Sequence, residues 1–209
     1  MDDNVSRVDR ERGVSPLNLP NALTVLRLVL VPVFILLLVS GAPSARWGAL
    51  VVFMVAAYTD RLDGKIARAR GLVTDFGKIV DPIADKALTL GAFVMLSIAH
   101  PWLWLVTVPV AIRELGITWW RADLLKKGIV VAANKGGKLK TVLQILAIWL
   151  LLIPWDLIGA WEFGLGIVAK IGFALGCAAA VLALVVTLWS GWVYIAEGRR
   201  LQKSAESQS

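Results

Sequence analysis

The chain has 209 residues, of which 58% are hydrophobic, and a formal net charge of +7. Its mean hydropathy of +0.73 exceeds what one water-soluble core of this length uses, so the composition indicates a membrane protein. One cysteine, Cys177, excludes an intrachain disulfide, and the bunching of lysines and arginines between apolar runs favours anionic lipid headgroups over nucleic acid as partners.

Six apolar stretches approach the roughly 20 residues that a helix needs to cross the hydrocarbon. They cover residues 22–40, 46–60, 84–99, 101–120, 139–154 and 164–195. The first is interpreted as a membrane helix and not a cleavable signal, because Asp9 and Glu11 precede it and Arg27 lies within it. No segment shows the alternation of apolar and polar residues that is typical of a strand. The predicted fold is therefore all-α, a polytopic membrane protein with six transmembrane helices. The predicted organisation is a six-helix membrane domain at 18–198 between polar cytoplasmic tails at 1–17 and 199–209.

Basic residues cluster on alternate loops of this six-span arrangement, which predicts the orientation of the chain. The loops near 41–46, 99–102 and 154–163 contain Arg46 as their one firm cation, whereas the opposite loops and both ends are rich in lysine and arginine. Cytoplasmic loops are the ones that accumulate these residues, so both termini are predicted to be cytoplasmic. With five or seven spans, the basic clusters would not all lie on the same side of the membrane. We therefore expect a multi-pass protein of the cell membrane.

Four aspartates occur at helical spacings around the loop between the second and third spans. Asp60 and Asp63 are three residues apart, and Asp81 and Asp85 are four apart, so each pair shares one face of its helix. Four carboxylates at the inner end of membrane spans are unfavourable unless something neutralises them, and two divalent cations match their charge. Oxygen ligands without cysteine or a nearby histidine favour Mg²⁺ or Mn²⁺. Such a site predicts chemistry on a diphosphate, with one carboxylate free to accept a proton from an alcohol.

The neighbours of the aspartates favour this interpretation over two others. Gly64 and Gly77 allow close approach of a nucleotide, and Arg68, one turn after Gly64, can bond phosphate oxygens. The aspartates could instead be helix caps and loop charges balanced by nearby cations. They could also line the ion path of a divalent-cation transporter, but acidic residues would then be spread across the bilayer depth and not clustered at one face.

The pattern Asp60-x2-Asp63-Gly64-x2-Ala67-Arg68-x8-Gly77-x3-Asp81-x3-Asp85 resembles the signature of the CDP-alcohol phosphotransferases, with no position departing from it. The resemblance implies a six-helix membrane enzyme that is a homodimer, with its active site at the cytoplasmic face. It also implies that Asp60 and Asp81 bridge two metal ions, that Asp63 binds the first, and that Asp85 binds the second and is the general base. The residues implied to contact the CDP-lipid are Asn21, Ala22, Leu23, Thr24, Gly64, Arg68 and Thr74.

Segments at 18–27, 81–86 and 137–141, together with Arg113-Glu114, resemble the phosphatidylglycerophosphate synthase branch of that family. This resemblance implies transfer of the phosphatidyl group of CDP-diacylglycerol to sn-glycerol 3-phosphate, giving phosphatidylglycerophosphate and CMP, in phospholipid biosynthesis. Sister enzymes share several of these segments, so a phosphatidylinositol phosphate synthase and a CDP-dependent cardiolipin synthase stay open as alternatives.

A phosphorylated acceptor needs cations held apart from the metal pair. Arg113 and Arg121 are eight residues apart, near one face of the fourth helix, and Lys135, Lys138 and Lys140 open the fifth. Arg113 interrupts an apolar run, so it needs an anionic ligand or an internal partner. Glu114 is expected to point elsewhere on the helix. Arg113, Arg121 and Lys138 are therefore the predicted acceptor-phosphate residues.

Overall fold

A computed structural model describes residues 19–70, 75–129, 131, 135–159 and 165–206 of the chain. These residues are almost entirely helical and include no strand, which confirms the predicted all-α fold class. The helices are α1 (Leu19–Val39), α2 (Pro43–Arg70), α3 (Asp75–Ala99), a short 3₁₀ helix (Pro101–Leu103), α4 (Trp104–Lys126), α5 (Lys135–Leu152), α6 (Trp155–Gly159) and α7 (Leu165–Glu206).

Six of these helices, α1 to α5 and α7, coincide with the six predicted apolar stretches. In the described part of the chain, three are long and apolar enough to cross a membrane: α1 over Asn21–Val39, α3 over Val80–Ala99 and α7 over Leu165–Ser204. Charged residues interrupt the other three helices. These charges include Arg46 and Asp60 in α2, Arg113 and Glu114 in α4, and Lys135, Lys138 and Lys140 in α5.

The helices of the bundle are also apolar on their outer faces. Leu36 is 67% exposed, and Leu105 and Trp119 are each 76% exposed. Continuous apolar surface of this kind is unfavourable in water and is expected where lipid surrounds the protein. The chain is therefore a membrane protein with several apolar helices.

The bundle consists of two groups of helices that meet at α3. In the first group α1 packs against α2 and α3, and in the second α7 packs against α4, α5 and α6. The contacts of α3 with α4 and α5 join the groups, and the core between them includes the fully buried Phe34, Phe53, Phe93 and Ile148. This packing leaves the first turns of α1, the last turns of α2 and the start of α3 close together at one end.

Several helices extend beyond the apolar stretches that predicted them. Helix α2 continues to Arg70 and α3 begins at Asp75, so much of the segment predicted as a charged loop is helical. Helix α7 continues to Glu206, into the segment predicted as a polar tail. All four candidate metal ligands therefore lie within helices.

Candidate active site

One face of the first turns of α1 is polar and buried. Asn21, Thr24 and Arg27 recur at three-residue intervals, which places them on the same side of the helix. The Arg27 side chain is fully buried, and Thr24 and Asn21 are nearly so. Polar groups in such a setting need partners, because burial without a hydrogen bond or ion pair is unfavourable.

The partners of this face are two of the predicted metal ligands. The Thr24 hydroxyl donates a hydrogen bond to Asp81 Oδ1 at 2.5 Å, and Arg27 Nη1 lies 2.7 Å from Asp60 Oδ1. Thr24 and Arg27 are neighbours on α1, so Asp60 from α2 and Asp81 from α3 meet on one side of that helix. The structure thus brings one aspartate of each sequence pair together.

Asp85 follows Asp81 by one turn of α3 and completes this group. Its carboxylate is half-buried and lies within electrostatic range of Asp60 and Lys86. Among the described residues it accepts no side-chain hydrogen bond and forms no ion pair, whereas Asp60 forms an ion pair with Arg27 and Asp81 accepts a hydrogen bond from Thr24. Asp85 is therefore the carboxylate of this group that is open to a ligand or a proton.

A second polar cluster lies between α4, α5 and α7. Glu114 accepts from two cations: Arg113 Nη1 lies 3.1 Å from Glu114 Oε1, and Lys140 Nζ contacts the same oxygen. Arg113 Nη2 donates to Ser190 Oγ at 3.1 Å, and the side chains of Arg113, Glu114 and Lys140 are only 11–12% exposed. Glu114 is also within electrostatic range of Asp85, so the two clusters are neighbours.

Comparison with known proteins identifies the family to which the chain belongs. A family model described as CDP-alcohol phosphatidyltransferase matches residues 17–196, which is most of the chain. The chain is a CDP-alcohol phosphatidyltransferase. The resemblance seen in the aspartate motif is confirmed, and the prediction of a transferase acting in phospholipid metabolism agrees with it.

Relatives of this phosphatidyltransferase are found in several bacteria. A Mycobacterium tuberculosis protein named "Probable phosphatidylglycerophosphate synthase" is 48% identical over 140 residues, 66% of each chain. Proteins named CDP-diacylglycerol–glycerol-3-phosphate 3-phosphatidyltransferase are 32% identical over 206 residues in Bacillus subtilis, with 90% of this chain and 98% of the relative covered, and 38% identical over 189 residues in Escherichia coli K12, with 87% and 95% covered. The match thus spans about two thirds of the M. tuberculosis relative and nearly all of the other two.

The aspartate group of the phosphatidyltransferase has donors suited to a hard divalent cation. Asp60, Asp81 and Asp85 offer carboxylate oxygens alone, and Asp85 has no competing side-chain partner among the described residues. Within that same described set, no three potential ligands lie close enough to hold a metal ion, and the Asp63 side chain falls outside it. The residues present fit Mg²⁺ or Mn²⁺ by their chemistry.

The remaining predicted donor-site residues of the phosphatidyltransferase are distributed as follows. Asn21 and Thr24 face the aspartates, while Ala22 is exposed and Leu23 half-buried. Asp63, Gly64 and Arg68 lie in α2, but their side chains are outside the described residues, as is all of Thr74. The structure therefore brings together the buried half of the predicted α1 segment with Asp60, Asp81 and Asp85.

The predicted acceptor residues separate into buried and exposed ones. Arg113 lies in the polar cluster, but Arg121 and Lys138 are exposed, without a side-chain hydrogen bond or ion pair to other described residues. The expectation that Glu114 points away from Arg113 is wrong, because the two adjacent side chains bend towards each other and share Lys140. A guanidinium on a flexible stem can reach a neighbouring carboxylate although their Cα–Cβ vectors diverge.

Arg27 and Ser190 were not among the predicted candidates, and Lys140 was one of three cations noted at the start of the fifth helix. Arg27, Lys140 and Ser190 each contact a partner on another helix. For Arg27 the signal was its position one turn after Thr24 inside an apolar run. For Ser190, a small polar residue within a long apolar helix, the sequence contains no such signal.

Proposed function

We propose that this enzyme transfers the phosphatidyl group of CDP-diacylglycerol to sn-glycerol 3-phosphate, releasing CMP. The observation that supports this most directly is the meeting of Asp60 and Asp81 on one side of α1, with Asp85 one turn further along α3. The names of the B. subtilis and E. coli relatives support this donor and acceptor. In the reaction the acceptor hydroxyl oxygen bonds to the lipid-linked phosphorus, the bond from that phosphorus to CMP breaks, and CMP leaves with its electron pair.

The donor site is proposed to lie around the aspartate group. Asp60, Asp63, Asp81 and Asp85 would hold two divalent cations, Mg²⁺ or Mn²⁺. Such cations, when bound, neutralise the diphosphate and stabilise charge on the leaving phosphate. The proposed donor contacts on the chain are Asn21, Ala22, Leu23, Thr24, Gly64, Arg68 and Thr74. Thr24 and Arg27 keep Asp81 and Asp60 oriented while the donor binds.

Asp85 is proposed to accept the proton of the acceptor hydroxyl. Of the three described aspartates it is the one without a side-chain hydrogen bond or ion pair, so a lone pair is available to the substrate. Glu114, in the cluster on the proposed acceptor side, is within electrostatic range of this carboxylate. A hydroxyl placed between the two clusters would approach Asp85 from that side.

The acceptor phosphate is proposed to bind at Arg113 and Lys140, with Arg121 and Lys138 at the cytoplasmic approach. Arg113 and Lys140 bear two positive charges and Glu114 bears one negative charge, so the cluster has a net positive charge that suits an anion. The exposed Arg121 and Lys138 would attract the acceptor from solution without holding it.

For the membrane arrangement we propose six transmembrane spans, with both termini and the active site cytoplasmic, and a homodimer. The six long helices and the alternation of basic loops support the six spans and their orientation. The homodimer rests on the resemblance to the family.

Asp85→Asn tests the reaction. The purified variant should fold and bind CDP-diacylglycerol, but its CMP release should fall at least about 100-fold, since general bases contribute roughly that much. Near-normal CMP release would remove Asp85 as the base. Isothermal titration with Mg²⁺ or Mn²⁺ in the presence of the donor tests metal uptake separately.

The acceptor is tested by supplying wild-type enzyme with CDP-diacylglycerol and one alcohol at a time. Glycerol 3-phosphate should support CMP release, whereas an inositol phosphate or phosphatidylglycerol should not. Release with only an inositol phosphate would identify a phosphatidylinositol phosphate synthase, and release with only phosphatidylglycerol a cardiolipin synthase. Metal flux into vesicles without CMP release would instead support a cation transporter.

A further inference from the structure

An open apolar groove of about 1040 Å³ runs along the side of the bundle between α4 and α7. None of the described candidate metal ligands lines it, whereas Arg113 does. Most of its lining is apolar and exposed: Ile112 is 68% exposed, Trp119 76% and Trp192 70%. Gly116 also lines the groove, and a Cβ added there would meet no other atom within 4 Å. The groove is thus an unfilled apolar surface next to the lipid phase.

The end of the groove is strongly basic. Arg199 lies at this end, and a second hollow of about 400 Å³ beside it is lined by Arg199, Arg200 and Lys203 together with Trp192. In the described part of the chain these three cations form no ion pair with a carboxylate, and Glu197 lines neither hollow. The basic end therefore has the charge for an anionic partner.

The dimensions of the groove match one leaflet of a bilayer. Its lining on α7 extends from Leu188 to Gln202, which at 1.5 Å per residue is about 21 Å. A bilayer with its headgroups is about 40–45 Å thick, so one leaflet is about half of that. In a bilayer the apolar part of the groove would face the hydrocarbon and the cations would face the headgroups, as the parts of a phospholipid do.

We propose that the groove between α4 and α7 binds one phospholipid with an anionic headgroup, whose acyl chain lies along Ile112 and Trp192 and whose phosphate contacts Arg199, Arg200 and Lys203. This lipid is distinct from the donor held at the aspartates, so the proposal goes beyond the transfer reaction. A second copy of the chain is a poorer occupant, because it would bring its own basic segments against these cations. Like charges placed together at an interface are unfavourable.

Native mass spectrometry of the full chain in detergent tests the proposal. The protein is titrated with phosphatidylglycerol or with phosphatidylcholine of the same acyl chains. Gly116→Leu places a side chain in the open space of the groove, and Arg199→Gln/Arg200→Gln removes two cations from the end of the groove. Matched controls are Gly166→Leu, where a side chain also meets open space but in a different hollow, and Lys126→Gln/Lys127→Gln, which removes two exposed cations elsewhere on the cytoplasmic side.

The wild type should retain phosphatidylglycerol more strongly than phosphatidylcholine. Arg199→Gln/Arg200→Gln should bind phosphatidylglycerol roughly 30-fold more weakly, since each basic residue near an anionic lipid contributes about 1 kcal/mol and 1.4 kcal/mol is ten-fold. Gly116→Leu should also weaken this binding, because its side chain occupies the path of the acyl chain. Both controls should bind as the wild type does. Equal retention of the two lipids, or unchanged binding by both groove variants, would overturn the proposal, as would a shift from dimer to monomer with lipid binding intact. CMP release is not used in this test, so its outcome is independent of the proposed reaction.

Discussion

At the scale of single residues, every deeply buried charge in the two clusters has a partner on the chain. Arg27 pairs with Asp60, and Glu114 lies between Arg113 and Lys140. Buried ion pairs contribute little net stability, but removal of one partner leaves an uncompensated charge. The carboxylate of Glu114 is the one partner on which two buried cations depend, so its removal should have the largest effect.

Glu114→Gln should destabilise the protein by about 3 kcal/mol, because two cations then face each other in a nearly buried site without an anion between them. Thermal unfolding of the purified variant measures this loss. Added inorganic phosphate should restore the midpoint temperature more in the variant than in the wild type, because the anion replaces the missing carboxylate.

Asp123→Asn is the matched control for that experiment. It also removes a carboxylate that pairs with a lysine, but the Asp123–Lys127 pair at the end of α4 is exposed, so the change should be below about 1 kcal/mol. A similar loss in both variants, or a phosphate effect equal to that of the wild type, would show that Glu114 does not hold the acceptor-side cations.

Thr24→Val should keep the fold and reduce kcat/KM for CMP release about ten-fold. The substitution removes the hydrogen bond that orients Asp81, and a hydrogen bond to a charged group contributes about 1.5–3 kcal/mol. Thr118→Val is the control, since that exposed hydroxyl bonds only the backbone of its own helix. Equal rates for the two variants would remove Thr24 from the positioning of Asp81.

The spacing of the aspartates predicted which residues share a helix face, and the structure agrees for Asp81 and Asp85. Spacing within one helix does not predict partners on another, and for that reason the roles of Arg27 and Ser190 could not be inferred. The Arg113–Glu114 contact was missed for a different reason. The Cα–Cβ directions of adjacent residues diverge on a helix, and Arg113 reaches the Glu114 carboxylate because its side chain is long.

At the scale of helices, the small residues of α7 accommodate neighbours within the same chain. The Trp155 indole of α6 lies over Gly172, where a Cβ would overlap the ring, and Leu151 of α5 packs against Gly176. Glycines at four-residue spacing often mediate association between membrane helices. Here both positions are filled by the packing of α5 and α6 on α7, as expected for ordinary helix packing.

Gly172→Ala should lower stability by about 1–3 kcal/mol, because the added methyl group displaces the Trp155 indole from a close-packed site. Thermal unfolding measures the loss. The double variant Gly172→Ala/Trp155→Leu should recover part of it, since the smaller side chain leaves room for the methyl group.

Gly166→Ala is the control for this prediction, because its added methyl group meets open space. Its stability should differ from that of the wild type by less than about 0.5 kcal/mol. Loss of a dimer in Gly172→Ala without loss of monomer stability would instead show that this face of α7 contacts a second copy.

Hydropathy predicted where the six long helices lie but not where they end. Apolar runs indicate the part of a helix that contacts lipid, whereas helical backbone hydrogen bonds continue into charged sequence. Helix α2 accordingly extends ten residues beyond Asp60, to Arg70, and α7 extends to Glu206. The extended start of α3 contains Asp81 and the extended end of α7 contains the basic end of the groove, so these parts lie outside the predicted spans, whereas Asp60 and Asp85 lie at the ends of theirs.

At the scale of the whole molecule, both polar clusters and the basic groove end lie on the side to which the basic loops point. Arg46 and Asp156 form an exposed ion pair between the start of α2 and α6, at the opposite end of the bundle. The two ends therefore differ in charge as well as in chemistry. This asymmetry is what an orientation with the active site in the cytoplasm requires.

Cysteine accessibility in intact cells tests that orientation, because the chain has a single native cysteine that can be replaced first. In a Cys177→Ser background, Ser44→Cys adds a thiol to the exposed start of α2, and Ser204→Cys adds one to the exposed end of α7. A membrane-impermeant maleimide should label the first variant in intact cells and the second only after permeabilisation, since five of the six proposed spans, an odd number, lie between Ser44 and Ser204. Labelling of Ser204→Cys in intact cells would contradict six spans with cytoplasmic termini, while CMP release by both variants would show that each thiol reports on the native fold.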